Sequence, residues 1–273
     1  MNRFEKLQDT IDQLESGAMG EATAQYKAAL SSSRDILRKY ADEYGSLDID
    51  VLRRNNALSQ LENELVREAE KVRSELSGLT RNTLRDTYTT AYNETIFYVN
   101  NLVDRDLENA FARERMEEVI NTPVGGIPLN QRLDINRSRF VDDVINTVDQ
   151  GLRNGIPYAE MSRKLRERYE VDINAAQRVI RTEGHRVQEA AKKESIDDLE
   201  QQGIKTRKYW LTARDSRVRP SHQDLGRKYD EDNAIPKGEE FEIDGYTAQH
   251  ASDFGEASMD INCRCVVAYT VVE

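Results

Sequence analysis

The residues best suited to chemistry lie in the last third of the chain. Cys263 and Cys265 are separated by one residue, and all three histidines precede them in that third. In an extended strand, side chains two residues apart point to the same face, so the two thiols can act together. Two thiolates joined by His222 and His250 would form a closed, tetrahedral zinc site of structural type. The alternative is that the cysteines are buried small residues and the histidines polar surface groups.

A second feature is an acidic residue on the apolar face of a predicted helix. Glu183 shares this face with Ile180 and Val187, and a buried carboxylate is costly unless it is paired. We expect it to meet an arginine from the segment 210–219 and so to lock the helix to the β-rich end of the chain. The residues assigned to this lock are Arg181, Glu183, Trp210, Asp215 and Arg217. The alternative is an edge position from which the Glu183 side chain reaches water.

A local cluster of basic residues follows, although the formal net charge of the chain is -11. A globally acidic chain is not a general polyanion binder, because phosphate neutralisation needs lysine and arginine. A local patch with interleaved aromatic residues can still contact DNA. The candidate DNA-contact residues are Lys205, Arg207, Lys208, Arg214 and Arg219, with Tyr209 and Trp210 between them. The alternative is a solvated face balanced by the acidic residues.

The sequence lacks the common signatures of enzymes and of membrane proteins. It has no phosphate-binding glycine loop, no G-x-S-x-G and no H-E-x-x-H. No apolar run reaches the ~20 residues needed to span a bilayer, and the first residues lack the apolar core of a signal peptide. A disulfide between Cys263 and Cys265 would be strained by its short loop. We therefore expect a protein that is not an enzyme and that folds in a reducing cytoplasm.

Hydrophobic periodicity predicts a helical first half and a β-rich end, which together indicate an α+β fold. Residues 1–121 are predicted to form an extended helical region with a loop near 17–20. Its clearest part is a heptad seam, typical of a helix hairpin or coiled coil, made by Leu58, Leu61, Leu65, Ala69, Val72, Leu76 and Leu79. The proline and glycine cluster at 122–128 predicts a domain boundary.

The second half divides again at Gly203. Residues 122–203 are predicted to hold a helix over 134–153, a short helix after Pro157 and a longer one capped by Asp172 or Asn174. Residues 204–273 are predicted to form a small β-rich module. Its strands cover 205–212 and 265–272, and Asp244-Gly245 is typical of a tight hairpin turn.

Several short motifs succeed one another from residue 181 onward, and their order carries a resemblance. They are Arg181-Thr182-Glu183, the run 209–215 with Arg217, His222, Leu225-Gly226, and Asn262-Cys263-Arg264-Cys265. In this order and spacing, residues 130–270 resemble the Mu F-like, or SPP1 minor head protein, family of phage head morphogenesis proteins.

The chain departs from this family's pattern near the predicted metal site. Many members carry Cys-x-x-Cys where this chain has Arg219-Pro220-Ser221-His222, and His-Pro where it has Met259-Asp260-Ile261. One ligand position is therefore histidine and the other arginine. His250, Asp224 or Asp260 could supply the missing ligand. The alternative is a site that has lost its metal and survives as a hydrogen-bonded knot.

The resemblance implies a low-copy virion protein of the capsid interior, present in the host cytoplasm during assembly. It implies association with the portal protein and roles in head morphogenesis, DNA packaging and DNA delivery. The candidate cofactor, a structural Zn2+, follows from the cysteine and histidine residues alone. Packaged DNA and a second copy, bound through the N-terminal helices, are further candidate partners. One alternative is a zinc-stapled nucleic-acid-binding module. Another is a hydrolase or nuclease that uses Cys263, His222 and Asp224.

Overall fold

The computed structural model of the protein describes residues 3–103, 107–123, 127–213 and 215–272. Its helices are α1 (Arg3–Tyr44), α2 (Ile49–Arg54), α3 (Leu58–Val103), α4 (Arg113–Asn121), α5 (Leu129–Arg153), α6 (Tyr158–Gln201), α7 (Pro220–Lys228) and α8 (Ala257–Asp260). Its strands are β1 (Lys205–Leu211), β2 (Ile235–Pro236), β3 (Phe241–Ile243), β4 (Tyr246–Ala248) and β5 (Val266–Val272). The predicted α+β class, with long helices first and a small β-rich end, is confirmed.

Contacts divide the chain into two compact units that are not linear segments. The sheet unit comprises Met1–Ser16, Arg81–Leu129 and Val179–Glu273, and the helical unit comprises Gly17–Thr80 and Asn130–Arg178. Helices α1, α3 and α6 each contribute to both units. The sequence boundaries at 121 and 203 fall at the end of α4 and just after α6, and their status as domain limits stays a prediction.

The heptad seam of α3 packs into the core of the helical unit. Leu61, Leu65 and Ala69 are fully buried, in one cluster with apolar side chains from α1, α5 and α6. An aromatic group lies in the same cluster, with the Phe140 ring 5.2 Å from Tyr26 and 5.0 Å from Tyr169 in edge-to-face contact. Such contacts add stability beyond area burial alone. The predicted seam is therefore a buried core element within this chain.

Two predicted helix interruptions are wrong. Helix α1 runs through Gly17 and Gly20, because the ~1 kcal/mol cost of each glycine is offset by burial of the neighbouring Ala18 and Ala22. Helix α6 runs through Asp172, whose carboxylate accepts hydrogen bonds from Arg168 at 3.0 and 3.1 Å instead of capping a new helix.

The sheet unit contains a three-stranded antiparallel sheet with the order β2-β1-β5. Strands β1 and β5 pair over their full length, with Trp210 opposite Val267. A separate hairpin joins β3 to β4. Its turn residues Asp244 and Gly245 have φ values of 51° and 82°, as a type I′ turn requires. The predicted hairpin is confirmed.

A buried ion pair on α6 covers the outer edge of β5. Lys192 Nζ lies 2.6 Å from Glu189 Oε1 and donates to the Val267 carbonyl at 2.8 Å. Glu189 Oε2 accepts the Val267 N–H at 2.9 Å. The pair therefore satisfies both backbone groups of an edge residue, which would otherwise be open to pairing with another chain.

Candidate metal centre

Two segments of the sheet unit carry the three side chains that could bind a metal. His222 lies in the first turn of α7, which Pro220 begins in a position favourable to that residue. Cys263 and Cys265 lie between α8 and β5. The turn after α8 passes through Asn262 at φ 56°, and the Cys263 N–H donates to the Asp260 carbonyl at 3.1 Å. The turn and the start of the strand thus fix both cysteines.

The three side chains converge in the interior. His222 Nδ1 lies 3.5 Å from the Sγ atoms of both Cys263 and Cys265. The ligand atoms of all three lie within 4.8 Å of one another, and all three residues are buried. With Zn–S of about 2.3 Å and Zn–N of about 2.1 Å, tetrahedral geometry places N and S about 3.6 Å apart. The observed separations therefore fit three corners of a zinc site.

The two thiols have opposite pKa shifts because they share one hydrogen bond. The hydrogen bond from Cys265 holds the pKa of Cys263 well below its usual value despite burial, with help from His185 and His222. The hydrogen bond to Cys263 and burial raise the pKa of Cys265. The cluster thus favours a thiolate at Cys263, and thiolate is the form that binds metals.

His250 does not join this cluster, so its assignment as a ligand is corrected. Its ring is buried, with Nδ1 2.9 Å from the Ala251 carbonyl and Nε2 4.0 Å from Asp253 Oδ2. The acidic alternatives also have other partners. Asp224 pairs with Arg227, and Asp260 Oδ1 accepts the Phe254 N–H at 3.1 Å.

His185 lies beside the cluster, and the sequence reasoning did not assign it. It is buried on α6 with 3% of its surface exposed. Burial lowers the pKa of His185, but the hydrogen bond with Cys263 and the negative charges of Cys263, Glu189 and Glu15 together outweigh this and raise the pKa to about 9. Its Nε2 has no well-formed hydrogen bond among the described residues. Its position two residues after the Arg181-Thr182-Glu183 motif was the available signal.

Arg219, which stands at the family's other ligand position, supports the cysteine turn instead. Its guanidinium donates to the Met259 carbonyl at 3.2 Å and to the Ile261 carbonyl. These carbonyls lie in α8 and just after it, directly before Cys263. An arginine at this position therefore anchors the backbone that carries the two cysteines.

The arginine between the two cysteines makes a further contact that sequence reasoning missed. Arg264 donates to both oxygens of Asp215 at 2.7 Å, a bidentate pair. Asp215 also accepts the Arg217 N–H at 2.9 Å. The Arg264 pair, followed by the Arg217 hydrogen bond, holds the pKa of Asp215 below its usual value. Within Cys263-Arg264-Cys265, the two sulfurs thus face His222, while the guanidinium between them pairs with Asp215.

The described residues give a partial picture of the predicted lock around Glu183. Glu183 is fully buried, so the alternative in which it reaches water is wrong. Arg186 on the same helix lies 3.1 Å from Glu183 Oε2 and donates to the carbonyls of Val119 and Ile120 near the end of α4. An arginine partner from 210–219 stays a prediction, since Arg214 lies outside the described residues.

The other lock residues have varied surroundings. Arg181 is exposed on α6. Trp210 is buried against His222 and Phe241, with ring centroids 5.8 and 5.1 Å away. Arg217 is largely exposed and pairs with Asp215 at 3.1 Å. Trp210 and Asp215 therefore support the segment around His222 and Arg264.

The candidate DNA-contact residues do not share one exposed face. Lys205 and Arg207 are exposed on β1. Lys208 is buried, its Nζ donates to the Gln249 carbonyl at 2.7 Å, and burial lowers its pKa to about 8. Lys208 is therefore removed from the predicted face. Arg219 serves the cysteine turn, and Arg214 lies outside the described residues.

Comparison with known proteins identifies relatives of the segment that holds this cluster. Residues 142–268 match the family model described as Phage Mu protein F like protein. The chain is 36% identical over 154 residues to the NAD(+)--arginine ADP-ribosyltransferase EFV of Enterococcus faecalis (strain ATCC 700802 / V583). That alignment covers 56% of this chain and 30% of the transferase.

A phage protein is also similar. The chain is 27% identical over 157 residues to the Minor head protein GP7 of Bacillus phage SPP1, covering 57% of this chain and 49% of that protein. The chain thus spans less than half the length of either relative. No solved structure matches it. Residues 142–268, which include His185, His222, Cys263 and Cys265, thus match the family that the ordered motifs predicted.

Proposed function

We propose that this protein is a phage minor head protein that acts in head morphogenesis from the capsid interior. The observation that carries the proposal is the family match over 142–268, and the similarity to the SPP1 minor head protein supports it. In this proposal the protein binds the portal protein and serves DNA packaging and DNA delivery. It is made in the host cytoplasm and then incorporated into the virion.

In this proposal, the Mu F-like segment has a structural role and not a catalytic one. His222, Cys263 and Cys265 have exposed fractions of 1%, 3% and 2%, so a substrate cannot reach them in this conformation. Two sulfurs and an imidazole nitrogen suit Zn2+, which such a site would hold as a structural ion. The burial of these three residues thus favours a structural metal site over a hydrolase that uses Cys263. No helix among the described residues has both the length and the apolarity needed to cross a bilayer.

Docking to the portal must use surfaces other than the heptad seam. Leu61, Leu65, Ala69 and Val72 are buried within the helical unit. Self-association through the N-terminal helices stays a prediction, and it too would need a different face.

Co-expression with the portal protein of the same phage tests the proposal. Affinity purification of the tagged full chain should recover the portal protein, whereas a tagged unrelated protein of similar charge should not. Circular dichroism on the same preparation establishes that the chain is folded. A folded chain that leaves the portal protein in the flow-through would contradict the proposed partnership.

A second candidate function is arginine ADP-ribosylation, which the similarity to the Enterococcus faecalis transferase raises. The alignment covers 30% of that protein, so most of its length has no counterpart in the match. Incubation of the full chain with labelled NAD+ and an arginine-rich acceptor should give no transfer above a blank. Turnover proportional to protein concentration would instead support the transferase function.

DNA contact, if it accompanies the head function, involves Lys205 and Arg207 on β1. Replacing both with glutamine should weaken retention of duplex DNA on a filter at low salt, because such binding depends on phosphate neutralisation. The matched control is Lys228→Gln, which changes an exposed cation on α7. Equal retention by the wild type and the double variant would remove DNA contact by these residues.

A further inference from the structure

Two arginine side chains join the segments that carry the candidate metal ligands. His222 lies on α7, whereas Cys263 and Cys265 lie 41 and 43 positions further along the chain. We propose that Arg264 and Arg219 are positioning residues, which hold these segments in ligand geometry before a metal ion binds. The inference rests on the structural metal site proposed above, and it gives the two arginines a role in metal affinity.

The first tie runs from the cysteine turn back to the segment before α7. Arg264, which lies between the two cysteines, donates to both carboxylate oxygens of Asp215 at 2.7 Å. A bidentate pair of this kind fixes direction as well as distance, because the planar guanidinium matches the carboxylate. The two side chains are 30% and 34% exposed, so the pair acts more through its geometry than through the strength of its charge attraction.

Asp215 is itself held in place by the chain around it. Its carboxylate accepts the Arg217 N–H at 2.9 Å, and its carbonyl accepts the Val218 N–H at 3.2 Å. This turn leads within two residues into α7, where Pro220 begins the helix and His222 lies in the first turn. The position of the Asp215 carboxylate is therefore linked to that of His222 through a short, hydrogen-bonded stretch of backbone.

The second tie runs in the opposite direction. Arg219 precedes His222 by three positions, and its guanidinium donates to the carbonyl of Met259 at 3.2 Å and to that of Ile261. These two carbonyls lie in α8 and just after it, directly before Cys263. Each segment thus contributes one arginine that binds the other segment, and the cysteine turn is held both before Cys263 and between the two cysteines.

Ligands held in this way need little rearrangement when an ion binds. His222 Nδ1 already lies 3.5 Å from both sulfurs, close to the ~3.6 Å expected between a nitrogen and a sulfur ligand of tetrahedral zinc. Binding to ligands that are ordered beforehand avoids the entropy cost of ordering them. Loss of one tie should therefore weaken metal binding while the chain still folds, since a partly exposed ion pair contributes little to global stability.

Zn2+ titration of the full chain against a chromophoric chelator tests the inference. Arg264→Gln and Asp215→Asn should each weaken Zn2+ binding by about 10-fold, the low end of the range for residues that orient metal ligands. The double variant should bind no more weakly than either single variant, because both changes break the same tie. Arg219→Gln should weaken binding by a similar factor. Arg217→Gln is the matched control, which removes an exposed cation that also pairs with Asp215, and it should keep the wild-type affinity.

Asp215→Asn separates positioning from simple charge, because it keeps the Arg264 cation beside the cysteines. Unchanged Zn2+ affinity in this variant would overturn the inference, as would a loss in Arg217→Gln equal to that in Arg264→Gln. With Co2+ as the probe, saturated Arg264→Gln should keep the sulfur-to-metal absorption of the wild type, since the ligands themselves remain. Loss of that absorption at saturation would overturn the assignment of Arg264 as a positioning residue.

Hydrogen exchange of the wild type keeps the test independent of variant folding. Peptides that cover 219–225 and 259–265 should be protected in the zinc-free protein, with little change when Zn2+ is added. Fast exchange that only Zn2+ slows would overturn the inference. A wild type that binds no Zn2+ would also overturn it, and would leave the head function to the portal experiment.

Discussion

The ion pair between Lys192 and Glu189 gives the sharpest test of how the sheet unit is held together. Both side chains are buried, with 1% and 0% of the side chain exposed. Burial lowers the pKa of Lys192, while Glu189 raises it. The pair satisfies the N–H and the carbonyl of Val267. Replacing Lys192 with methionine keeps the apolar stem and removes the charge.

The expected loss comes from the groups that the substitution leaves without partners. Glu189 keeps the Val267 N–H but loses its cation, and breaking a buried pair in this way costs about 3–5 kcal/mol. The Val267 carbonyl also loses its donor, which contributes about 1–3 kcal/mol within that total. The double variant Lys192→Met/Glu189→Leu buries no charge. It should therefore be more stable than Lys192→Met alone, and the two changes should not be additive.

The assay is urea denaturation followed by circular dichroism, with hydrogen exchange of the β5 peptide as a local readout. The matched control is Lys193→Met, which removes the next residue's partly exposed pair with Asp197 and should cost under about 1 kcal/mol. Faster exchange across 266–272 in Lys192→Met would place the damage at the covered edge. Equal stability of Lys192→Met and Lys193→Met would refute the reasoning.

Three further predictions concern the surroundings of the candidate metal centre. Gly184→Ala should cost about 1–3 kcal/mol in a denaturant titration, because its Cβ would collide with the Glu15 carboxylate, and Glu15→Ala in the same chain should recover part of the loss. Burial raises the pKa of Glu15 to about 7 from 4.5, so its contribution to stability is present below pH 4.5 and lost as the pH rises through 7. The decline amounts to at most about 3 kcal/mol, and Glu15→Gln should remove it; an unchanged pH profile would contradict this. Arg264 lowers the pKa of Asp215, so Arg264→Gln should shift the midpoint of acid unfolding to higher pH. The unfolding can be followed by the fluorescence of the single tryptophan, and an unchanged midpoint would contradict this prediction.

Local patterns made much of the fold predictable. The seam from Leu58 onward reflects burial on one helical face, which periodicity reports directly. The run of β-branched and aromatic residues in β5 favours a strand. Asp244-Gly245 specifies its turn through the positive φ values that these residues tolerate. These features depend on neighbours within a few residues along the chain, so no tertiary information was needed.

The wrong predictions arose where tertiary contacts, and not local sequence, determine the structure. Gly17 and Asp172 carry local signals for helix interruption, but burial of Ala18 and the ion pair with Arg168 outweigh them. The two cysteines and His222 were identifiable as candidate ligands from their spacing and motif order. Placing His185 beside the cysteines requires knowing that α6 lies against the cysteine turn, a contact that joins residues about 80 positions apart. Nothing in local sequence reports that contact.

The proposed head function is tested most directly in purified particles of the phage that encodes the chain. Quantitative mass spectrometry of DNA-filled heads should detect the chain at a copy number far below that of the major capsid subunit. Protease treatment of intact particles should leave it undigested, because the proposal places it inside the capsid. Absence from particles, with the chain abundant in the cleared lysate, would contradict the account.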